Sequence, residues 1–111
     1  MASKIIFMGT PLFCVPILES LHQNGYNIVV AYTQPPEKSH RGQKINKSPI
    51  QNVSETLNIK YRTPMTLKDN NEEYKFLKEL NADLAIVCAY GQIIPKNFLN
   101  LTRKGFINIH A

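Results

Sequence analysis

The chain has 111 residues, 43% of them hydrophobic and 19% charged, with a formal net charge of +5. That length holds one small core, and that balance describes a globular chain rather than a disordered one. No apolar run is long enough to span a bilayer, and two cysteines are too few for a disulfide-built secreted scaffold, so the sequence reads as cytoplasmic.

The run before Gly9 is too short for a signal-peptide core, and residues 4–8, apolar and β-branched, read as a buried strand. Over 13–24 the set Phe13, Ile17, Leu18 and Leu21 recurs at helical spacing. Pro16 falls in the first turn and Gly25 is placed to end the helix. Residues 27–33 form a second strand, followed by a loop of about a dozen residues with Pro35, Pro36 and Gly42, long enough to be functional. Ser48, Pro49 and Gln51 predict a helix start closed by a capping box, with Ile50, Val53 and Leu57 on its buried face. A short strand at 59–62 and a helix over 69–80 come next, the helix acidic early and apolar at Phe76, Leu77 and Leu80. Residues 84–88 are a buried strand, 95–101 a short helix, and 105–110 the last strand. Apolar strands alternating with amphipathic helices imply an α/β fold, a doubly wound parallel sheet with its ligand crevice beyond the carboxyl ends of the strands.

The charge is unevenly placed. Between residues 37 and 68 lie seven Lys or Arg against two acids, while the rest of the chain holds six of each sign. This segment is either a solvated basic loop or a phosphate-facing surface.

Three segments could carry chemistry. The turn Met8-Gly9-Thr10-Pro11 lets backbone approach a ligand at a helix start. It has neither the dinucleotide glycine spacing nor the P-loop ending, and a plain tight connection is the alternative. Ala89-Tyr90-Gly91-Gln92-Ile93-Ile94-Pro95 could form a flat apolar slot for a planar heterocycle, or simply a packed loop. In Asn108-Ile109-His110 the strand alternation turns Asn108 and His110 to one face, away from Ile107 and Ile109. An amide donor beside an imidazole suits an oxyanion and a proton transfer; a hydrogen-bonded strand end is the alternative. No metal site is expected, since His22, His40 and His110 are far apart and Cys14 and Cys88 lack ligand spacing.

Together these segments resemble the amino-terminal part of the methionyl-tRNA formyltransferase family. The resemblance runs over residues 4–111, in the family's order. It rests on Phe7-Met8-Gly9-Thr10-Pro11, Thr33-Gln34-Pro35, Arg41-Gly42-Gln43-Lys44 with Ser48-Pro49-Ile50, Ala89-Tyr90-Gly91-Gln92-Ile93-Ile94-Pro95-Lys96, and Gly105-Phe106-Ile107-Asn108-Ile109-His110-Ala111. It implies transfer of a formyl group from 10-formyltetrahydrofolate to the α-amine of initiator methionyl-tRNA, without a metal. By the same resemblance Asn108 and His110 are catalytic, with an aspartate completing the trio, and Tyr90, Gly91, Gln92, Ile93 and Ile94 line the folate pocket. Gly9, Thr10, Pro11 and Phe13 lie near the methionyl end, while the loop bearing Lys38, Arg41, Lys44 and Lys47 meets the acceptor stem.

The sequence departs from the family pattern at Pro36-Glu37-Lys38, where the family has an acid followed by Arg-Pro. The family also continues beyond the position of Ala111 to the aspartate and a carboxy-terminal tRNA-binding domain. Residues 1–111 thus correspond to the first part of a formyltransferase domain. Alone they are expected to transfer little or no formyl and to be marginally stable or self-associating, whereas full-length members are expected to be monomers. The competing readings are a folate-dependent formyltransferase acting on a sugar-nucleotide or ribonucleotide amine, and a non-catalytic folate- or RNA-binding remnant.

Overall fold

In the computed structural model, residues 3–38 and 44–110 are described. Five parallel strands form one sheet in the order β5-β2-β1-β6-β7. They are β1 (Lys4–Gly9), β2 (Asn27–Tyr32), β5 (Tyr61–Arg62), β6 (Leu84–Cys88) and β7 (Phe106–Asn108). The helices are α1 (Val15–Gln23), α2 (Pro49–Thr56) and α3 (Asn71–Leu80). From β1 the chain winds outward to β2 and β5, then returns to β6 on the other side of β1. The topological switch point therefore lies between β1 and β6, where such sheets open a ligand crevice.

Strand alternation divides the core between two faces. Ile5, Phe7, Ala31, Ile86 and Cys88 pack with Val15, Leu18 and Ile50 beneath α1 and α2. Ile6, Met8, Val30, Tyr32, Ala85 and Val87 pack with Leu77, Tyr90 and Phe98 beneath α3. Fully burying each large apolar side chain contributes about 1.5–3 kcal/mol, so both helical layers are held mainly through the sheet. At the β7 edge Ile107 stays half exposed.

Several boundaries differ from expectation. The helix expected over 13–24 begins as a 3-10 turn, Leu12–Cys14, and becomes α-helical at Val15. Pro16 sits in the first turn, and Gly25 follows the helix at φ +83°. The dozen-residue loop carries a small antiparallel pair, β3 (Glu37–Lys38) with β4 (Ile45–Asn46). Only half of the capping box forms. Ser48 Oγ accepts from Gln51 N at 3.0 Å, while the Gln51 side-chain oxygen is buried without a partner. The last strand ends at Asn108, so His110 lies beyond it.

Glu73 is the residue whose role periodicity hid. It sits in the acidic first turn of α3, capped by Asn70, yet it is 5% exposed. Arg62 clamps its carboxylate through both oxygens, at 2.6 and 2.9 Å, and Tyr32 donates its hydroxyl to it. The Arg62 guanidinium lies 4.1 Å from the centre of the Phe76 ring. A charge buried at this position is tolerable because it is paired and fully hydrogen-bonded.

Candidate functional site

Among the described residues, two cavities lie at the carboxyl ends of the strands. The first, about 420 Å³, lies beyond β1, β6 and β7. Phe13, the loop after β6 (Ala89, Tyr90, Gly91, Gln92, Ile94), and the β7 end (Asn108, Ile109, His110) line it. Three separate segments thus converge at the switch point.

The loop after β6 turns sharply. Ala89 takes φ +48° and Gly91 φ +90°. A side chain at Gly91 would be strained at that φ, and its Cβ would stand 2.6 Å from Gln34 Nε2, so that Gln34 would have to move. Gln34 Nε2 donates to Gly91 O at 2.7 Å, and Gln92 Nε2 donates to both Gln34 Oε1 at 3.0 Å and Pro64 O at 2.8 Å. The second Gln92 side-chain atom, Oε1, is buried without a partner. Tyr90 is almost wholly buried, and burial pushes its hydroxyl well above the usual tyrosine range, with Glu73 adding to the shift. It therefore forms the floor of the cavity as a neutral, largely apolar ring.

Gly9 sets the close approach of β1 and β6, since a Cβ there would lie 2.9 Å from Cys88 O and from Phe7 Cε1. Just beyond it Thr10 Oγ1 donates to Tyr90 O at 2.8 Å and accepts from Gln34 N at 3.2 Å. The Thr33 and Ser48 hydroxyls are 2.6 Å apart and either can donate, and Thr33 Oγ1 lies 3.5 Å from Thr10 Oγ1. Hydroxyls thereby run from the start of α2 to the backbone of the first cavity.

The second cavity, about 440 Å³, is lined by Thr10, Gln34, Pro35, Glu37, Lys38, Asn46, Lys47, Ser48 and Pro49. Lys47 Nζ reaches both oxygens of Glu55, at 3.0 and 3.1 Å, and Tyr61 also donates to Glu55 at 2.7 Å. The Tyr61 hydroxyl first, and Lys47 second, hold the Glu55 carboxyl below its ordinary range.

The expected site residues are distributed as follows. Tyr90, Gly91, Gln92 and Ile94 share the first cavity with Asn108 and His110, and Phe13 joins them rather than standing apart near Thr10. Ile93 does not face it: 88% exposed, it lines a shallow apolar depression with Thr66, Lys68, Gln92 and Pro95. Thr10, Lys38 and Lys47 line the second cavity, and Lys44 is exposed outside both. Gly9 is buried between strands, and Pro11 precedes the 3-10 turn. Arg41 lies outside the described residues. Thr33 and Ser48 connect the cavities without having been singled out for it; both follow secondary-structure boundaries at the carboxyl side of the sheet, which was the available signal.

A family model described as formyl transferase matches residues 3–111. The chain belongs to the formyl transferase family. A methionyl-tRNA formyltransferase of Pelagibacter ubique (strain HTCC1062) is 68% identical over 111 residues, all of this chain and 36% of the relative. Proteins of the same name from Acidiphilium cryptum (strain JF-5) and Alkaliphilus oremlandii (strain OhILAs) are 44% and 47% identical over 108 residues. Those matches cover 97% of this chain and 36% and 34% of the relatives, respectively. The chain thus spans about a third of the length of the curated relatives it matches. Among the described residues no group of three His, Cys, Asp or Glu could hold a metal ion, and no helix is long and apolar enough to cross a membrane.

Proposed function

We propose that this chain supplies the donor-binding and part of the catalytic surface of a cytosolic methionyl-tRNA formyltransferase. The donor is 10-formyltetrahydrofolate and the acceptor the α-amine of initiator methionyl-tRNA. The observation that carries this reading is the convergence of the 89–94 loop with Asn108 and His110 on one cavity at the switch point. A cavity of about 420 Å³ is in the range of small-molecule sites, and its wall combines a buried ring with backbone groups of a tight turn. These features fit a planar, hydrogen-bonding donor.

When bound, that donor supplies a formyl carbon open to attack by an amine. Asn108, at the carboxyl end of β7, lines the cavity, where its amide N–H stabilises negative charge on the formyl oxygen. His110, one step past the strand, lines the same cavity and handles the proton released by the attacking amine. Phe13 forms an apolar wall of the same space, and Thr10 fixes it by bonding Tyr90 O. Lys38 and Lys47 border the second cavity, where phosphates of the acceptor end bind.

The test is a chimera in which this chain replaces the matching residues of the Pelagibacter ubique relative. The chimera transfers formyl to methionyl-tRNA, and Asn108→Ala in it lowers kcat by about 100-fold or more. A folded chimera without transfer, or one indifferent to Asn108→Ala and His110→Ala, would contradict the proposal.

A further inference from the structure

The two cysteines are 74 positions apart in sequence and share no motif, yet the fold stacks them against each other. Cys14 ends the 3-10 turn after β1, and Cys88 is the last residue of β6. Their sulfurs are 2.8 Å apart, and the Cys14 thiol also donates to Cys88 O at 2.9 Å. Both side chains are free thiols and completely buried beneath α1. The spacing between the sulfurs exceeds a disulfide bond of about 2.05 Å by less than an ångström.

We propose that Cys14 and Cys88 form an oxidisable pair that peroxide closes into an intramolecular disulfide, fastening the floor of the first cavity. One thiol, as thiolate, attacks hydrogen peroxide; the O–O bond breaks, giving a sulfenic acid and water. The second thiol attacks that sulfur, the S–S bond forms, and the sulfenic oxygen leaves as a second water. Two thiols lose two electrons and two protons, and one peroxide becomes two waters.

The pair is coupled to the site through its chain neighbours. Phe13 precedes Cys14 and Ala89 follows Cys88, and both line the first cavity. Ala89 also holds the positive φ on which the 89–94 loop turns. A covalent link at this point limits the relative motion of the α1 start and that loop. Burial keeps the reaction slow: it pushes the Cys14 thiol up to about 12, with the neighbouring Cys88 adding to the shift, so thiolate forms mainly during local opening. The resulting disulfide is equally shielded from external thiols, which makes it a persistent mark of oxidative exposure rather than a rapid switch.

The experiment exposes the folded protein to hydrogen peroxide, quenches it, alkylates it in denaturant and maps peptides by mass spectrometry. The expected result is a peptide pair joined through Cys14 and Cys88, in monomeric protein, reversed by dithiothreitol. Amide exchange at residues 89–92 slows by about tenfold or more in the oxidised form. Cys14→Ala and Cys88→Ala each remove the crosslink, and the wild-type map stands even if either variant fails to fold. Two alkylatable thiols after complete peroxide treatment, separate sulfinic acids, or crosslinks only between molecules would overturn the proposal. A crosslink that leaves exchange at 89–92 unchanged overturns the coupling to the cavity.

Discussion

Gln34 and Gln92 join the ends of two strands that are not neighbours in the sheet. Gln92 Nε2 donates to Gln34 Oε1 at 3.0 Å, bridging the ends of β2 and β6 across the tip of β1. Because Gln34 in turn donates to Gly91 O, the loop that floors the first cavity is held from the β2 side. Its shape therefore depends on a side chain outside that cavity's wall.

Substituting Gly91→Ala is expected to destabilise the fold by about 1–2 kcal/mol, since a side chain at φ +90° is strained and strikes Gln34. Gln34→Ala alone removes hydrogen bonds and costs about 1 kcal/mol. The double variant costs less than the sum, because the clash no longer has a partner. Urea denaturation of the four proteins measures the non-additivity; strict additivity would show that Gln34 does not set the loop.

Glu73→Gln leaves Arg62 part-buried without its carboxylate and weakens the Tyr32 contact. The expected loss is about 3 kcal/mol, read as a lower urea midpoint at unchanged slope. Replacing both members with apolar residues, Arg62→Met with Glu73→Leu, recovers at least half of that loss. A single variant as stable as wild type would contradict the assigned burial of this ion pair.

Raising pH tests the Cys14 environment. Its thiol is pushed from an ordinary 9.0 to about 12, so the folded state favours the neutral form. The associated stability is complete below about pH 9 and is lost as pH rises toward 12. Cys14→Ala flattens that part of the stability profile. A wild-type thiol that reacts with iodoacetamide at neutral pH as fast as it does in denaturant would refute the assignment.

The Glu55 carboxyl, lowered first by Tyr61 and then by Lys47, retains its contacts above the ordinary carboxylate range. They are lost as pH falls through its lowered value. While they hold, Lys47 is shared between Glu55 and the second cavity. Glu55→Gln therefore tightens tRNA binding at low salt, and Lys47→Ala reduces the salt slope of binding by about 1. Filter-binding titrations across salt decide this; unchanged slopes would remove Lys47 from the phosphate surface.

The strands and helices were legible because their apolar residues recur with the period of each element. Residues 84–88 read as a buried strand, and Phe13, Ile17, Leu18 and Leu21 read as a helix face; those elements formed. The strand of the last segment was legible but its end was not, since pairing stops at Asn108 while the apolar pattern runs on to Ile109. The burial of Glu73 was not legible, because no local pattern reveals that Arg62 and Tyr32 close over it. The contact between Cys14 and Cys88 was invisible for the same reason: it exists only once β1 and β6 are adjacent. At the site Asn108 and His110 share one cavity, but not through strand alternation: the strand ends at Asn108 and Ile109 lines the same cavity, while Ile93 lies outside it, apart from Ile94.

The most direct test of the donor cavity is amide exchange on the Pelagibacter chimera, with and without saturating 10-formyltetrahydrofolate. Protection is predicted at residues 89–94 and 108–110, with residues 37–38 and 45–46 unchanged. Protection confined to the second cavity, or none at either segment, would contradict the assignment of the crevice beyond β1, β6 and β7 to the formyl donor.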